Sequence, residues 1–144
     1  MIVTVDTNVI FSALYSNLGA SHRILRLIRD EKIKLALSPQ IYFEYYDVLT
    51  RKENLRKFDL TVSEIEDTLD LLALLAQKHS IYFLLRPNLP DEKDNIFVEG
   101  AFASKSRYLI TSNIRDFKSG ELKGFEFKVV TPHEFYQEWE SINE

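Results

Sequence analysis

The run Ile2-Val3-Thr4-Val5 is short, rich in β-branched residues and free of polar alternation, and it stops on Asp6-Thr7-Asn8. A strand of this kind is buried on both faces, the habit of a parallel sheet covered by helices. In such sheets ligands collect beyond the carboxyl ends of the strands, where neighbouring connections leave toward opposite faces. Asp6 would stand at that place. Asp, Thr and Asn are also helix-capping residues, so this stretch alone leaves open whether Asp6 binds something or merely starts the helix expected near Val9.

The rest of the chain repeats the alternation of strand and helix. Between Asn17 and Asp30, Ile24, Leu25, Leu27 and Ile28 lie among arginines and predict a helix with one apolar stripe. Leu35-Ala36-Leu37 reads as a strand, and Ser38-Pro39 as a helix start with a capping serine and proline at the first helical position. That helix, running to about Arg51, carries Ile41, Tyr42, Phe43, Tyr45, Tyr46, Val48 and Leu49 almost all round. The pattern predicts burial on more than one side, part of it against another subunit. Glu44 then stands among large apolar neighbours, where a carboxylate needs a cation or a proton.

Thr61-Val62-Ser63-Glu64 is a capping box opening a helix with Ile65, Leu69, Leu72 and Leu75 or Ala76 at helical spacing. Ile81-Tyr82-Phe83 predicts a strand. A proline-marked loop from Arg86 to Pro90 leads into Asp91-Glu92-Lys93-Asp94-Asn95 and a helix from Ile96 to about Lys105, with Asp94 in the first turn where the helix dipole favours a carboxylate. Simple capping competes evenly with a binding role for Asp91 and less so for Asp94. Tyr108 to Thr111 and Phe127 to Val130 read as strands, the first ending on polar Ser112-Asn113-Ile114-Arg115-Asp116. Thr131-Pro132-His133-Glu134 is a second capping box, opening a terminal helix with Phe135, Tyr136 and Trp139. The expected fold is an α/β, three-layer α/β/α sandwich with a parallel sheet of about five strands, formed by residues 1–144 as a single domain.

Composition narrows the chemistry. There are no cysteines, and His22, His79 and His133 are scattered singly, so any metal must be held by oxygen. No apolar run approaches the roughly 20 residues that span a bilayer, and no signal-type segment opens the chain, which predicts a cytoplasmic protein away from membranes. The net charge of -4 does not favour nucleic acid as a whole-protein property. Basic residues nevertheless cluster from His22 to Lys34, with Arg23 and Arg26, and from Arg51 to Lys57, with Lys52. A solvated helix face is the bland account of both clusters.

Asp6 follows the first strand, Glu44 lies in an apolar helix, Asp94 opens a helix, and Asn113 and Asp116 follow a late strand. At about 4 Å and an effective dielectric of about 20, each pair of like charges would repel by roughly 4 kcal/mol. Converging carboxylates therefore need cations or shared protons. Hard oxygen donors select Mg²⁺ or Mn²⁺, and a carboxylate cluster holding such ions suits hydrolysis of a nucleic-acid phosphodiester.

With these residues in view, the sequence resembles PIN-domain proteins, in particular the VapC-like ribonuclease toxins of toxin-antitoxin pairs. Asp6-Thr7-Asn8-Val9 is similar to the family's opening motif. Ser38-Pro39 with Glu44 and Val48-Leu49-Thr50-Arg51 is similar to the second, Asp91 to Asn95 with Glu99 and Ala101 to the third, and Ile110-Thr111-Ser112-Asn113 to the fourth. The resemblance implies a PIN-like fold and a metal-dependent endoribonuclease. Asp6, Glu44, Asp94 and Asp116 would be its catalytic and Mg²⁺- or Mn²⁺-holding acids, with Thr7, Asn8, Asp91, Thr111, Ser112 and Asn113 in support. It implies RNA as substrate, with Arg23, Arg26, Arg51, Lys52 and Arg115 as candidate contacts, and a cognate antitoxin protein as partner; a homodimer is expected from the aromatic helix. One position departs: Asn113 stands where many members carry Asp, and Asp116 follows three residues on. A non-catalytic PIN module that binds RNA or protein is the alternative. A haloacid-dehalogenase-type phosphatase would want a second Asp where Asn8 stands, and a response-regulator receiver would want a lysine where Thr131-Pro132 occurs.

Overall fold

The computed structural model of the protein describes residues 1–78, 95–118 and 127–143. The elements in chain order are β1 (Ile2–Val5), α1 (Thr7–Tyr15), α2 (Ala20–Arg29), β2 (Lys34–Leu37), α3 (Pro39–Leu49), α4 (Lys52–Phe58), α5 (Val62–Leu75), β3 (Gln77–Lys78), α6 (Asn95–Ser104), β4 (Tyr108–Ile110), α7 (Ile114–Lys118), β5 (Lys128–Val130) and α8 (Pro132–Ile142). The five strands form one sheet in the order β3-β2-β1-β4-β5, every pair parallel. This is the expected three-layer α/β/α arrangement.

The unalternating run Ile2–Val5 becomes the central strand. Val3 and Val5 have no exposure at all, and neither do Leu109 and Ile110 beside them on β4. Crossovers run from β1 to β2 to β3 in one direction, while β4 and β5 lie on the other side of β1. Right-handed connections therefore place the helices of the first half and α6 on opposite faces. The α6 helix packs on β1, β2 and β4, and α8 packs on α2 and β4. The carboxyl end of β1 is thus the topological switch point, the place where such sheets bind ligands. Among the described residues no helix is long and apolar enough to cross a membrane.

Both capping boxes form: Thr61 with Glu64 on α5, and Thr131 with Glu134 on α8, each closed in both directions. Ser38 accepts from the Ile41 N–H and Pro39 sits in the first turn of α3. Two helix starts are corrected. The first helix begins at Thr7 rather than near Val9, and the second at Ala20 rather than Asn17. β3 covers Gln77–Lys78, directly after the Leu75 or Ala76 position of the expected helix, while the strand expected at Ile81–Phe83 lies outside the described residues.

α4 has no counterpart in the sequence reading. Its sequence, Lys52-Glu53-Asn54-Leu55-Arg56-Lys57-Phe58, is mostly polar, and only Leu55 and Phe58 pack on the core. The buried Asn54 amide holds it in place by donating to the Val48 carbonyl at the end of α3, 2.7 Å away.

Along α3, Ile41, Tyr45 and Leu49 form one buried stripe at i, i+4, i+8, Tyr42 and Tyr46 flank it half-buried, and Phe43 is 67% exposed. Ile41→Ala is accordingly expected to lower the unfolding free energy by about 2–5 kcal/mol. Phe43→Ala should stay within about 0.5 kcal/mol of wild type for the monomeric protein. Urea denaturation reads both, and equal losses would contradict the single buried stripe.

Candidate functional site at the end of the central strand

Asp6 occupies the N-cap position of α1, yet its side chain makes no capping hydrogen bond. It turns instead to the neighbouring strand end: the Thr111 hydroxyl donates to Asp6 Oδ2 at 2.7 Å, and the Asp6 N–H donates to the Ile110 carbonyl at 2.9 Å. Thr111 is fully buried and also accepts from the Asn113 N–H at 3.0 Å, so one hydroxyl fixes both the carboxylate and the turn that follows β4. Across the same gap the Ser112 N–H donates to Asn8 Oδ1 at 3.2 Å. From the other side, the buried Tyr45 hydroxyl donates to the Val5 carbonyl, pinning the last residue of β1 to α3. Tyr45 in turn packs on Phe97 of α6, with ring centroids 6.3 Å apart.

Asp6 is 6% exposed. Burial raises its pKa above the ordinary value; the Thr111 hydroxyl, the Thr7 backbone N–H and the Asn8 side chain pull it down, and the Glu44 charge pushes it up again. The charge of Glu44, on the helix that follows β2, therefore reaches Asp6 at the end of β1. Glu44 is half-buried on α3 rather than enclosed among apolar side chains as its neighbours suggested. Burial and the Asp6 charge also raise the Tyr45 pKa well above its usual value, which keeps that hydroxyl a donor.

Two buried oxygens, Thr7 Oγ1 and Asn95 Oδ1, have no hydrogen-bond partner among the described residues. Asn95 opens α6, and Glu99, one turn further on, is also buried. A buried carboxylate with the charge of a second acid acting on it is an oxygen donor of the kind that fits a hard divalent cation. Among the described residues no three acids or histidines gather closely enough to form a complete cation site. Asp91 and Asp94 lie outside the described residues.

The remaining sequence candidates are dispersed. Asn113 and Ser112 are exposed just past β4, and Asp116 is partly buried in the first turn of α7, its N–H donating to the Asn113 carbonyl. Arg115 is exposed on α7. Arg23 on α2 lies over the Tyr136 ring of α8 at 5.4 Å, Arg26 faces α5, Arg51 pairs with Asp47 at 3.0 Å, and Lys52 is exposed at the start of α4. The residue that sequence reasoning missed is Tyr45. It falls on the buried stripe of α3, and a tyrosine on such a stripe needs a partner for its hydroxyl; that signal was hidden among six other apolar positions.

This architecture has named relatives. The family model of the PIN domain matches residues 2–115. An uncharacterized protein of Methanocaldococcus jannaschii, MJ1680, is 34% identical over 152 aligned positions that cover 97% of this chain and 92% of the relative. The crystal structure of VapBC2 from Rickettsia felis, bound to a DNA fragment from its promoter, contains a chain of the same fold. The TM-score is 0.62 at 16% identity, covering 91% of this chain and 98% of that one. The chain belongs to the PIN-domain family.

The electrostatics of Asp6 give a sign that can be measured. Its folded pKa is raised, so its contribution to stability is fully present below the unfolded carboxylate value of 3.8 and is lost as pH rises through the folded value. In chelator, Asp6→Asn is therefore expected to be more stable than wild type at about pH 7, with the gain shrinking toward about pH 3.5. The amide oxygen still offers Thr111 an acceptor. Urea denaturation of both proteins at the two pH values is the check, and a gain largest at low pH would contradict the assignment.

Proposed function

We propose that the protein is a metal-dependent endoribonuclease acting as the toxin of a toxin-antitoxin pair. The observation that carries this reading is the buried Asp6 carboxylate, oriented by Thr111 at the switch point of a PIN-family sheet, with the Glu44 charge acting on it. A buried acid destabilised by its surroundings and by a second acid is relieved when a divalent cation binds. The VapBC2 likeness supports the toxin-antitoxin setting.

In this reading Asp6 and Glu44 supply anionic oxygen donors, joined by Asp94, the residue before Asn95 in the sequence, and Asp116 adds charge from α7. Bound Mg²⁺ or Mn²⁺ supplies Lewis-acid neutralisation of the charge that develops on the scissile phosphate. Thr111 holds Asp6 in one rotamer, and Tyr45 holds the strand end from which Asp6 projects. Asn8 ties Ser112 to α1, keeping the two strand ends at fixed separation. Asn113 can offer only a neutral carbonyl oxygen. Arg23, Arg26, Arg51, Lys52 and Arg115 are the cations available to RNA phosphates, whose binding is then salt-dependent.

Purified protein is expected to cleave single-stranded RNA with Mn²⁺ or Mg²⁺ and to stop in chelator. Asp6→Asn should lower the rate by about a hundredfold or more while the protein stays folded. Asp116→Ala should weaken Mn²⁺ binding in calorimetric titration more than Asn113→Ala does. Wild-type cleavage by Asp6→Asn would remove Asp6 from the site. RNA binding without cleavage by the native chain would identify a non-catalytic PIN module instead.

The partner reading is a homodimer through α3 and α5, in addition to a cognate antitoxin. Phe43 at 67%, Leu71 at 44% and Leu74 at 75% exposure on these helices are the large apolar side chains left to such a contact. Light scattering at tens of micromolar should give about twice the mass of 16.9 kDa, and Leu74→Glu should return it to the monomer. A monomeric wild type would contradict the dimer.

A further inference from the structure

Helices α2 and α5 lie side by side, each leading into one of the paired parallel strands β2 and β3, so the two helices run in the same direction. Between them is a groove of about 120 Å³. Leu25, Arg26 and Arg29 of α2 face Leu71, Leu72 and Leu75 of α5 across it, and the two sets share one spacing, i, i+1 and i+4. The volume is below the range of small-ligand sites, about 300–1,000 Å³. It has room for side chains of a further helix, which is how a groove between two helix faces is commonly filled.

Charge separates across this part of the surface. Arg26 and Arg29 stand on the α2 wall, and among the described residues no carboxylate lines the groove. Arg29 meets its sequence neighbour Asp30 at 3.1 Å, whereas Arg26 makes no ion pair among the described residues. The acids lie on the outer side of α5. Asp67, Asp70, Leu71 and Leu74 fall at i, i+3, i+4 and i+7, one stripe of the helix, and all four are exposed, Leu71 at 44% and Leu74 at 75%. Asp70 Oδ1 lies 3.5 Å from the Tyr42 hydroxyl, which puts it on the α3 side of that stripe.

An apolar groove bearing cations thus adjoins an apolar stripe bearing anions, and a chain of this kind is complementary to itself. We infer that a second copy covers this face: its α5 seats antiparallel in the α2–α5 groove, and by two-fold symmetry the first α5 seats in the groove of the second. With Leu71 of the two copies facing each other, Asp70 falls opposite Leu72 and Asp67 opposite Leu75. Those positions are level with Arg26 and Arg29, because the two walls share one spacing. The leucines supply the buried surface, and the charges fix register and direction. This contact rests on the homodimer reading and gives α5 and α3 the α2 helix of the other copy to pack against. Arg26 is covered in the dimer and open to RNA only in the monomer.

The charges can be exchanged without touching the core, since Arg26 and Asp70 are both exposed. Wild type, Arg26→Glu, Asp70→Arg, the double variant and Leu74→Glu are compared by sedimentation equilibrium over a range of concentrations in chelator, with circular dichroism checking the fold. Each single charge change sets like charges against each other and should weaken dimerisation about tenfold or more. The double variant restores opposite charges and should return to within about threefold of wild type.

A wild-type dimer that ignores both single charge changes but is dissociated by Leu74→Glu overturns the inference and leaves the homodimer reading standing. A double variant no tighter than the single ones also overturns it. A monomeric wild type overturns the inference and the homodimer reading together; a co-expressed antitoxin that then binds wild type and not Arg26→Glu is the occupant of the groove instead.

Discussion

The placement of one carboxylate governs this structure. Asp6 follows the central strand, whose Val3, Thr4 and Val5 are fully buried, and a charge there is costly unless hydrogen bonds and an opposite charge compensate it. The fold supplies the first kind of compensation from three directions: the Thr111 hydroxyl, the Thr7 backbone N–H and the Asn8 side chain. They do not suffice, since burial still dominates and the carboxyl favours its proton more than it would in water. The sheet is thus built to hold an acid in position rather than to make it comfortable. That is the condition under which a bound cation contributes to both folding and function.

The elements legible in the sequence were those with one dominant local signal. Ile2–Val5 could be read as a doubly buried strand because nothing polar interrupts it, and Thr61 and Thr131 as helix starts because each is answered by a glutamate three residues on. The signal failed where a helix is specified by something other than its apolar stripe. α4 is held by Asn54 bonding to the end of α3, a contact that composition does not encode. α3 was legible only in part. Its aromatics suggested burial on more than one side, but composition alone did not single out Ile41, Tyr45 and Leu49 as the stripe the core takes. Glu44, read as an enclosed acid, is consequently half-buried.

The site was less legible than the fold because its geometry is made by pairs distant in sequence. That Asp6 ends a strand is visible at once. That Thr111, 105 residues later, aims its hydroxyl at it depends on β1 and β4 being neighbours in register, Val5 beside Ile110. Tyr45 shows the same limit. Its burial follows from helical spacing, but its bond to the Val5 carbonyl exists only because α3 returns over the end of β1. These two hydroxyls approach the same strand end from different elements, one fixing the side chain of Asp6 and the other the backbone before it.

That division of labour bears on how an acid pair works at a switch point. The Glu44 side chain is half-exposed on α3, while Asp6 is fixed by β1, β4 and α3 together. When two like charges face each other, the repulsion is absorbed by whichever group can move or take a proton. The fixed member is buried and already disposed toward its proton; the half-exposed member can be solvated. In the proposed metal site an incoming cation would therefore meet one rigid donor and one adaptable donor, so that ions of slightly different size would be held by moving the Glu44 side chain alone.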